Sequence, residues 1–187
     1  VKKSNIRKEF GISEKKVLIA FIGMLTERKR PDMAIEATKR LRKKYDIHTI
    51  IVGDGYLNKI LRQKAKGIKE ITFAGSRKDI PQILRETDIL FNPGIGEGLP
   101  GVVMEASASK VPSVASREGG TQDIVIHKKT GLLCNLNKEE EFYKNLEVLV
   151  KDKALRKKYG LNAYNHIKNF SWDKVIKKYE NLYRSLK

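Results

Sequence analysis

Two carboxylates, Glu97 and Glu105, flank a short glycine-containing segment, and residues of these types at this spacing could bind a polar ligand. The segment between them opens with Gly98, Leu99, Pro100, Gly101 and Val102. Upstream, residues 88–92 are mostly apolar and predict a short strand that ends in a turn. Downstream, residues 102–109 are rich in Val, Met and Ala, and Pro100 stands where a helix can begin. The sequence therefore predicts a strand, a glycine loop and a helix in that order.

This order of elements suits the binding of phosphate. The first N–H groups of a helix have no intrahelical partner, and the helix dipole favours an anion at that end. Glycines at positions 98 and 101 let a ligand approach the main chain closely. Because a phosphate would repel carboxylates, we expect Glu97 and Glu105 to accept hydrogen bonds from hydroxyl groups instead. A ligand that carries both phosphates and many hydroxyls indicates a sugar nucleotide.

Short apolar runs alternate with helical periodicities along most of the chain. The predicted strands are 17–23, 49–55 with its tight turn, 71–75, 88–92, 111–116 and 131–134. The predicted helices are 31–41, 57–66, 79–86, 102–109, 121–126, 139–150, 153–169 and 171–186, the last capped by Ser171. Apolar strands joined by helices and short connections predict an α/β fold, a Rossmann-like doubly wound parallel sheet with a helical C-terminal extension.

Ligands of such a sheet bind beyond the carboxyl ends of the strands, at the point where the strand order reverses. The loops that follow four of the predicted strands leave the sheet at this edge, after Gly23, Gly53, Gly75 and Pro93. We therefore expect the candidate residues to converge on one rim.

The 187 residues are enough for one domain with a sizeable core. We expect this domain to consist of a lead-in at 1–16, a parallel core at 17–135 and helices at 136–187. The chain begins with Val1 rather than Met, which suggests a piece of a longer protein. No run reaches the ~18 apolar residues of a membrane span and no signal peptide is visible, so we expect a cytoplasmic location.

Lys and Arg number 39 against 22 acidic residues, which gives a net charge of +17. This excess of positive charge allows three interpretations: a solvated lysine-rich surface, attraction to the anionic inner face of a membrane, and nucleic-acid binding. The positive residues are spread as pairs over predicted helices, without long basic runs or interleaved aromatics. That distribution favours the solvated surface, leaves the membrane surface open and argues against nucleic acid as a partner.

The single Cys134 cannot form an intrachain disulfide, and its apolar surroundings in the sequence predict a buried core thiol rather than a nucleophile. His48, His127 and His166 are far apart and lack the spacing of zinc ligands. No Asp-x-Asp motif occurs. We therefore expect neither a metal nor a cofactor.

A longer pattern surrounds the two carboxylates. Seven residues separate Glu97 from Glu105, and an Ala-x-Ala-x-x-x-Pro segment and a Ser-x-x-Gly-Gly turn follow, formed by Ala106, Ala108, Pro112, Ser116, Gly119 and Gly120. In this order and spacing, the pattern resembles the C-terminal, donor-binding half of retaining glycosyltransferases of the GT-B fold, family 4 or "group 1". The resemblance covers residues 6–186 and includes Phe170-Ser171-Trp172 before the terminal helix.

The resemblance implies metal-independent transfer of a sugar, with retention, from a UDP- or GDP-sugar to an acceptor. It assigns Glu97 to the hydroxyls of the transferred sugar and to the developing oxocarbenium charge. It assigns Glu105 to the ribose hydroxyls. Backbone N–H groups from Gly98 to Val102 are expected to hold sugar hydroxyls and the distal phosphate.

Basic residues after the first strand complete the donor site that the resemblance implies. Lys29 matches the family lysine that neutralises the leaving diphosphate, and such charge stabilisation can be a large catalytic term. The family often has an arginine directly after Gly23, where this chain has Met24. We expect Arg28 to take over that role, because a guanidinium can bind phosphate in bidentate fashion.

The nucleotide base is expected to lie against the backbone of Gly75, Ser76 and Arg77. Gly53 and Gly55 would flank the same pocket, although glycines needed only for a turn would look the same in the sequence. The last matches to the family are Gly119, Gly120 and Thr121, in a turn beside the donor site.

Other functions compete with a transferase. Nucleotide-sugar epimerases of the GT-B fold lack this full context of two glutamates, and phosphorylases of the fold need a pyridoxal-phosphate lysine, of which the sequence shows no signature. A basic module for membrane or nucleic acid would show steep salt dependence and no nucleotide preference. We favour the transferase, with front-face substitution in which the leaving diphosphate helps deprotonate the acceptor. An N-terminal domain absent from this chain would supply the acceptor site, and polysaccharide or glycolipid biosynthesis is the expected setting.

Overall fold

The computed structural model describes residues 6–186 and places a six-stranded parallel sheet at the centre of the fold. The strands are β1 (Val17–Ile22), β2 (Ile47–Val52), β3 (Ile71–Gly75), β4 (Ile89–Asn92), β5 (Ser113–Ser116) and β6 (Gly131–Cys134). They lie in the order β3-β2-β1-β4-β5-β6, and all neighbours are parallel. The predicted Rossmann-like sheet is confirmed, and its strand order reverses between β1 and β4.

Helices connect and flank the strands within the described range. They are α1 (Ile6–Glu9), α2 (Asp32–Leu41), α3 (Asn58–Lys64), α4 (Ile80–Glu86), α5 (Gly101–Ala108), α6 (Thr121–Ile124), α7 (Glu139–Lys151), α8 (Lys153–Ile167) and α9 (Trp172–Ser185). Two short 3-10 turns, Glu27–Lys29 and Lys168–Phe170, precede α2 and α9. Of the predicted lead-in, residues 1–5 lie outside the described residues, and the remainder contains α1. No described helix is long and apolar enough to cross a bilayer.

Both faces of the sheet are covered, as alternate side chains of β1 show. Ile19 and Phe21 pack into one apolar cluster with Phe142 of α7. Leu18 and Ala20 pack on the other face, in a cluster that includes residues of α1 and α4. A strand buried on both faces needs apolar residues at successive positions, which explains the continuous apolar run from which β1 was predicted.

The predicted strand at 111–116 begins late, at Ser113. The N–H of Val111 donates instead to the Ala106 carbonyl (2.9 Å), at the end of α5, so these residues cannot yet join the sheet. The predicted N-cap of α9 lies at the expected position but lacks the expected capping hydrogen bond. Ser171 occupies the N-cap with an extended backbone, but its side chain makes no capping hydrogen bond.

A buried charge network closes the amino edge of the sheet. Arg7 donates to Asp88 Oδ2 (3.0 Å), which also accepts the N–H of Leu18 (2.8 Å). Arg156 of α8 places its Nε 3.7 Å from Asp88 Oδ1, and burial lowers the pKa of this arginine. Both guanidinium groups are buried, and their partners tie α1 and α8 to the starts of β1 and β4.

Cys134 is fully buried at the end of β6, as predicted. Burial raises the pKa of its thiol to about 12, and Asn145 Nδ2 donates to Sγ at 3.2 Å. Since the thiolate is the reactive form, this thiol is inert near neutral pH.

Candidate functional site

The loop between β4 and α5, residues 93–100, carries Glu97 and is here called the Glu97 loop. The 3-10 turn after β1 holds one side of it. The N–H of Ile95 donates to the Arg28 carbonyl (2.7 Å), and Arg28 Nη1 donates to the Gly96 carbonyl (2.9 Å). The predicted phosphate ligand Arg28 therefore uses its guanidinium here to fix the loop; its contact with phosphate stays a prediction.

Glu97 and Lys29 form an ion pair between these two segments, through Glu97 Oε1 and Lys29 Nζ. Their side chains are only 9% and 18% exposed. Charges removed from water to this extent need an oppositely charged partner. Here each of the two side chains is the partner of the other. Gly94 makes room for the pair, because a Cβ there would lie 2.9 Å from Glu97 Oε1. The sequence-predicted pair of catalytic residues thus meets in space.

A second segment, the turn at residues 118–120, holds the opposite side of the Glu97 loop. Glu118 Oε1 accepts the N–H of Glu97 (3.1 Å), and the N–H of Gly120 donates to the Gly98 carbonyl (2.6 Å). Gly119 has a φ of +45°, and a Cβ there would lie 2.1 Å from the Glu97 carbonyl oxygen. Only glycine allows this approach. Gly120 is predicted to bind the donor, but its N–H donates to the Glu97 loop. Thr121 is buried at the start of α6.

The start of α5 completes the site. Pro100 is the N-cap, with an extended backbone, and Val103 and Met104 donate the first helical N–H groups to its carbonyl (3.0 and 3.3 Å). The N–H groups of Gly101 and Val102 precede these bonds and remain available to an anion. Glu105, exposed, stands one turn further along the same helix.

These elements enclose a cavity of about 360 Å³ at the carboxyl edge of the sheet. Eight of the predicted residues line it: Gly23, Lys29, Glu97, Leu99, Pro100, Gly101, Val102 and Glu105. The cavity, here called the Glu97 cavity, therefore combines an ion pair, a helix N-terminus and a free carboxylate. Such a set can bind a ligand with anionic and hydroxyl groups.

A second cavity of about 280 Å³ adjoins the first and shares Ile22, Gly23 and Met24 with it. The other predicted residues that line it are Gly53, Ser76 and Arg77. We call it the β2–β3 cavity, since it lies beyond the ends of these strands. The expected convergence of the loops after Gly23, Gly53, Gly75 and Pro93 on one edge is confirmed by the parallel sheet.

Arg77 points its charge into a local network. Its guanidinium binds Asp79 (2.8 Å) and Glu9 (2.5 Å), and these carboxylates raise its pKa, Asp79 most. The same contact with Arg77 lowers the pKa of Asp79. The side chain is therefore engaged within the protein, which agrees with an expected role for the backbone of this loop.

Gly53 is required by the packing of two strand ends. Its φ is +128°, and a Cβ would lie 1.9 Å from the Gly23 carbonyl oxygen. Gly55 is similar, with its Cβ position 2.5 Å from the Leu25 carbonyl oxygen. These distances favour the turn interpretation of both glycines, although Gly53 also lines the β2–β3 cavity.

A larger, shallow cavity of about 720 Å³ lies over the first turn of α7 and is lined by eight residues between Asn135 and Asn145. Glu139, Glu140 and Glu141 fill that helix start. Their charges oppose the binding of an anion, so the cavity does not compete for the same ligand.

The histidines are separate, and each has a partner of its own. His48 bonds with Thr72 Oγ1 (2.9 Å), His127 Nδ1 accepts the N–H of Leu133 (3.0 Å), and His166 Nε2 lies 2.7 Å from the Asp123 carbonyl. Within residues 6–186, no three or more His, Cys, Asp or Glu side chains are grouped as a metal site.

Glu118 is the site residue that sequence reasoning missed. Its neighbours Gly119 and Gly120 carried the family pattern, and the residue before them was treated as variable. The available signal was an acidic residue directly before a tight turn, but its contact with Glu97 spans 21 positions and depends on how two loops meet.

A family model, curated relatives and solved structures all match this chain. The sequence profile of the family described as Glycosyl transferases group 1 matches residues 2–166. N-acetyl-alpha-D-glucosaminyl L-malate synthase of Bacillus anthracis is 26% identical over 184 residues, which are 96% of this chain and 48% of that protein. The chain thus spans about half the length of this curated relative.

Two solved structures give the same result for the fold. HepE of Anabaena, in complex with UDP-glucose, has a TM-score of 0.83 at 21% identity, over 98% of this chain and 51% of HepE. The C-terminal domain of the glycosyl transferase group 1 protein LpcC of Francisella tularensis has a TM-score of 0.79 at 26% identity. That match covers 90% of this chain and 92% of the LpcC domain.

Proposed function

Because the chain belongs to the family Glycosyl transferases group 1, we propose that it binds a nucleotide-sugar, a UDP- or GDP-sugar, as the donor for sugar transfer. The observation that carries this proposal is the partly buried Lys29–Glu97 ion pair beside the N-terminus of α5. One cavity there offers a cation and free N–H groups for a diphosphate, and carboxylates for hydroxyls. The UDP-glucose bound by HepE, which shares this fold, supports the same ligand class.

Each part of the donor then has a place. The diphosphate lies at Lys29 and the start of α5, the transferred sugar at Glu97, and the ribose at Glu105. The base occupies the β2–β3 cavity, against the backbone of Gly75 to Arg77. Retention follows from front-face attack, in which the leaving diphosphate takes the acceptor proton; Lys29 and the helix dipole stabilise its charge without a metal.

The proposed reaction needs a partner domain that supplies the binding site for the acceptor. With it, the protein would act as a hexosyltransferase in polysaccharide or glycolipid biosynthesis, in the cytoplasm or at the inner face of an anionic membrane. A nucleotide-sugar epimerase would use the same donor cavity. It is distinguished by conversion of the sugar nucleotide in the absence of acceptor.

The first test is thermal unfolding of this chain with UDP, GDP, ADP, CMP and common sugar conjugates. A ligand at about 100 times its dissociation constant stabilises the folded state by about 2.7 kcal/mol. One nucleotide should raise the melting temperature well above the others. A shift of the same size with every polyanion, lost in high salt, would instead identify a basic binding module.

Glu105→Ala is the matched variant for this test. Glu105 is exposed and lines the cavity, so its removal should leave the fold intact. We expect it to weaken binding of the preferred nucleotide about fivefold or more, because charge-assisted hydrogen bonds to the ribose are lost. Isothermal titration of both proteins measures the difference, and equal affinities would contradict the ribose contact.

A further inference from the structure

One contact in the site that has no assigned role joins two acidic residues. Glu118 Oε1 accepts the backbone N–H of Glu97 at 3.1 Å. Glu118 and Glu97 carry like charges, and a partly exposed glutamate is free to turn towards solvent. The contact therefore has to be held by geometry, and the turn at 118–120 provides it through Gly119 and Gly120, which pack directly on the backbone of residues 97 and 98.

Glu97 lies between two anchors. On one side, the Arg28 carbonyl and guanidinium bind Ile95 and Gly96, the residues just before it. On the other side, Gly120 binds the carbonyl of Gly98, the residue just after it. At position 97 itself, the backbone N–H is fixed by Glu118 and the side chain by Lys29.

The side chain of Glu97 uses only one oxygen in these contacts. Oε1 binds Lys29, and no group within the described residues donates a hydrogen bond to Oε2. Oε2 is then the atom for a sugar hydroxyl. Its direction depends on the backbone of residue 97, because a rotation there would swing the carboxylate out of the Glu97 cavity.

We infer that Glu118 is a positioning residue for sugar recognition: by holding the N–H of Glu97, it aims the Glu97 carboxylate at the transferred sugar. This inference rests on the proposed function of the Glu97 cavity. It assigns to Glu118 a role in binding the sugar part of the donor and none in binding the nucleotide part, which contacts other residues.

The test compares Glu118→Ala with Glu118→Gln in the full chain, using UDP and UDP-glucose, and GDP and GDP-mannose, as probes. Isothermal titration gives a dissociation constant for each. Glu118→Ala should weaken binding of the sugar nucleotide about fivefold and leave the free nucleoside diphosphate within about twofold. Glu118→Gln keeps an acceptor oxygen and should bind both within about twofold of the wild type.

Asp152→Ala is the matched control. Asp152 Oδ1 also accepts a backbone N–H, that of Leu155 (2.8 Å), but at the start of α8, away from the residues that line the Glu97 cavity. It should lower the melting temperature without changing the ratio of the two dissociation constants.

The outcomes separate the two levels of inference. If the wild type binds a sugar nucleotide and Glu118→Ala binds it equally well, or loses nucleoside diphosphate by the same factor, the role of Glu118 is wrong and the proposed function stands. If Glu118→Gln is as weak as Glu118→Ala, the hydrogen bond is not the cause and the inference falls. If the wild type binds none of the four probes, both fail.

Discussion

At the scale of single residues, the ion pair between Lys29 and Glu97 lies in the cavity that we propose as the diphosphate site. Both side chains line the same cavity, so a bound diphosphate would compete with Glu97 for Lys29. On the proposed function, the diphosphate would draw Lys29 away from Glu97 Oε1, while the backbone contact with Glu118 would keep Oε2 aimed at the sugar. The free energy of donor binding would then include the cost of breaking the ion pair.

Replacing Glu97 by Gln should therefore strengthen the binding of the preferred nucleoside diphosphate, by about two- to fivefold, because Lys29 no longer has a competing carboxylate. The same change should lower the turnover of the complete enzyme strongly, since the contact to the transferred sugar is lost. Titration of the variant with the nucleotide, and an assay of transfer, measure the two effects.

A double-mutant cycle with Lys29→Met shows whether partner exchange is the cause. In the Lys29→Met background, Glu97→Gln should no longer improve nucleotide affinity. If the improvement keeps its full size, simple repulsion between Glu97 and the phosphates explains it, and the exchange is contradicted.

The residue scale also shows the reach of sequence reasoning. The types and spacing of Glu97 and Glu105 indicate a ligand site, and the family resemblance adds Lys29; the structure brings all three to one cavity. The orientation of the Arg28 guanidinium towards Gly96 and the contact of Glu118 with Glu97 depend on the path of two loops. Such contacts leave no periodic pattern, so the sequence did not predict them.

At the scale of elements, strand β2 carries a buried base. His48 is 6% exposed, and burial lowers its pKa to about 4, with a smaller contribution from Lys16. The unfolded chain protonates this histidine near pH 6.5, whereas the folded chain keeps it neutral. The contribution of neutral His48 to the free energy of unfolding is complete above its unfolded pKa. This contribution is lost as the pH falls from about 6.5 towards 4.

We therefore expect the free energy of unfolding to decrease over this window by an amount on the order of 2–3 kcal/mol from His48. Denaturant unfolding between pH 4 and 8 measures it. His48→Val, which removes the titrating group from β2, should flatten the curve between pH 6.5 and 4. An unchanged slope in this variant would mean that His48 is not the responsible group.

Helix α9 is the element with the weakest attachment to the rest of the domain. None of its described residues is buried, and Trp172, Tyr179 and Leu182 are 79%, 57% and 53% exposed. A helix that buries no side chain adds little to the stability of the core. The helix predicted at 171–186 is confirmed, since the local sequence can specify a helix without a packing neighbour.

Deleting residues 171–187 should change the melting temperature by no more than about 2 °C and leave nucleotide affinity unaltered. Tyr159→Ala is the comparison, because Tyr159 in α8 is 7% exposed and its loss should lower the melting temperature by several degrees. Thermal unfolding of both proteins provides the measurement. A fall after the deletion that equals that of Tyr159→Ala would contradict the weak attachment.

At the scale of the whole molecule, the parallel sheet was the most predictable feature. Strands buried on both faces have apolar residues in succession, and the helices between them have the spacing of an amphipathic face, so both signals are local. The boundaries were less predictable: β5 starts at Ser113 because Val111 still bonds to the end of α5. The strand order depends on where each crossover helix places the next strand. The sequence indicates this order only through its resemblance to the family.

The chain spans about half the length of a curated relative, so donor binding and transfer should separate. We expect these 187 residues to bind the sugar nucleotide but to transfer sugar at less than about 1% of the rate of a protein that also contains the proposed partner domain, because the proposed reaction needs an acceptor site from that domain. Titration with the donor and a product assay on the same preparation measure both. Full transfer by this chain alone would overturn the division of roles.

The network of Arg7, Asp88 and Arg156 fastens helices to the amino edge of the sheet, while the Glu97 cavity lies at the carboxyl edge. The contacts that hold the architecture and the cavity proposed to bind the ligand thus lie at opposite edges of the sheet. Exchanging the segments that follow β2 and β3 for those of another family member should alter the proposed binding surface and leave the network of Arg7, Asp88 and Arg156 in place. Ligand recognition can therefore diversify through the loops at one edge of the sheet while the fold stays constant.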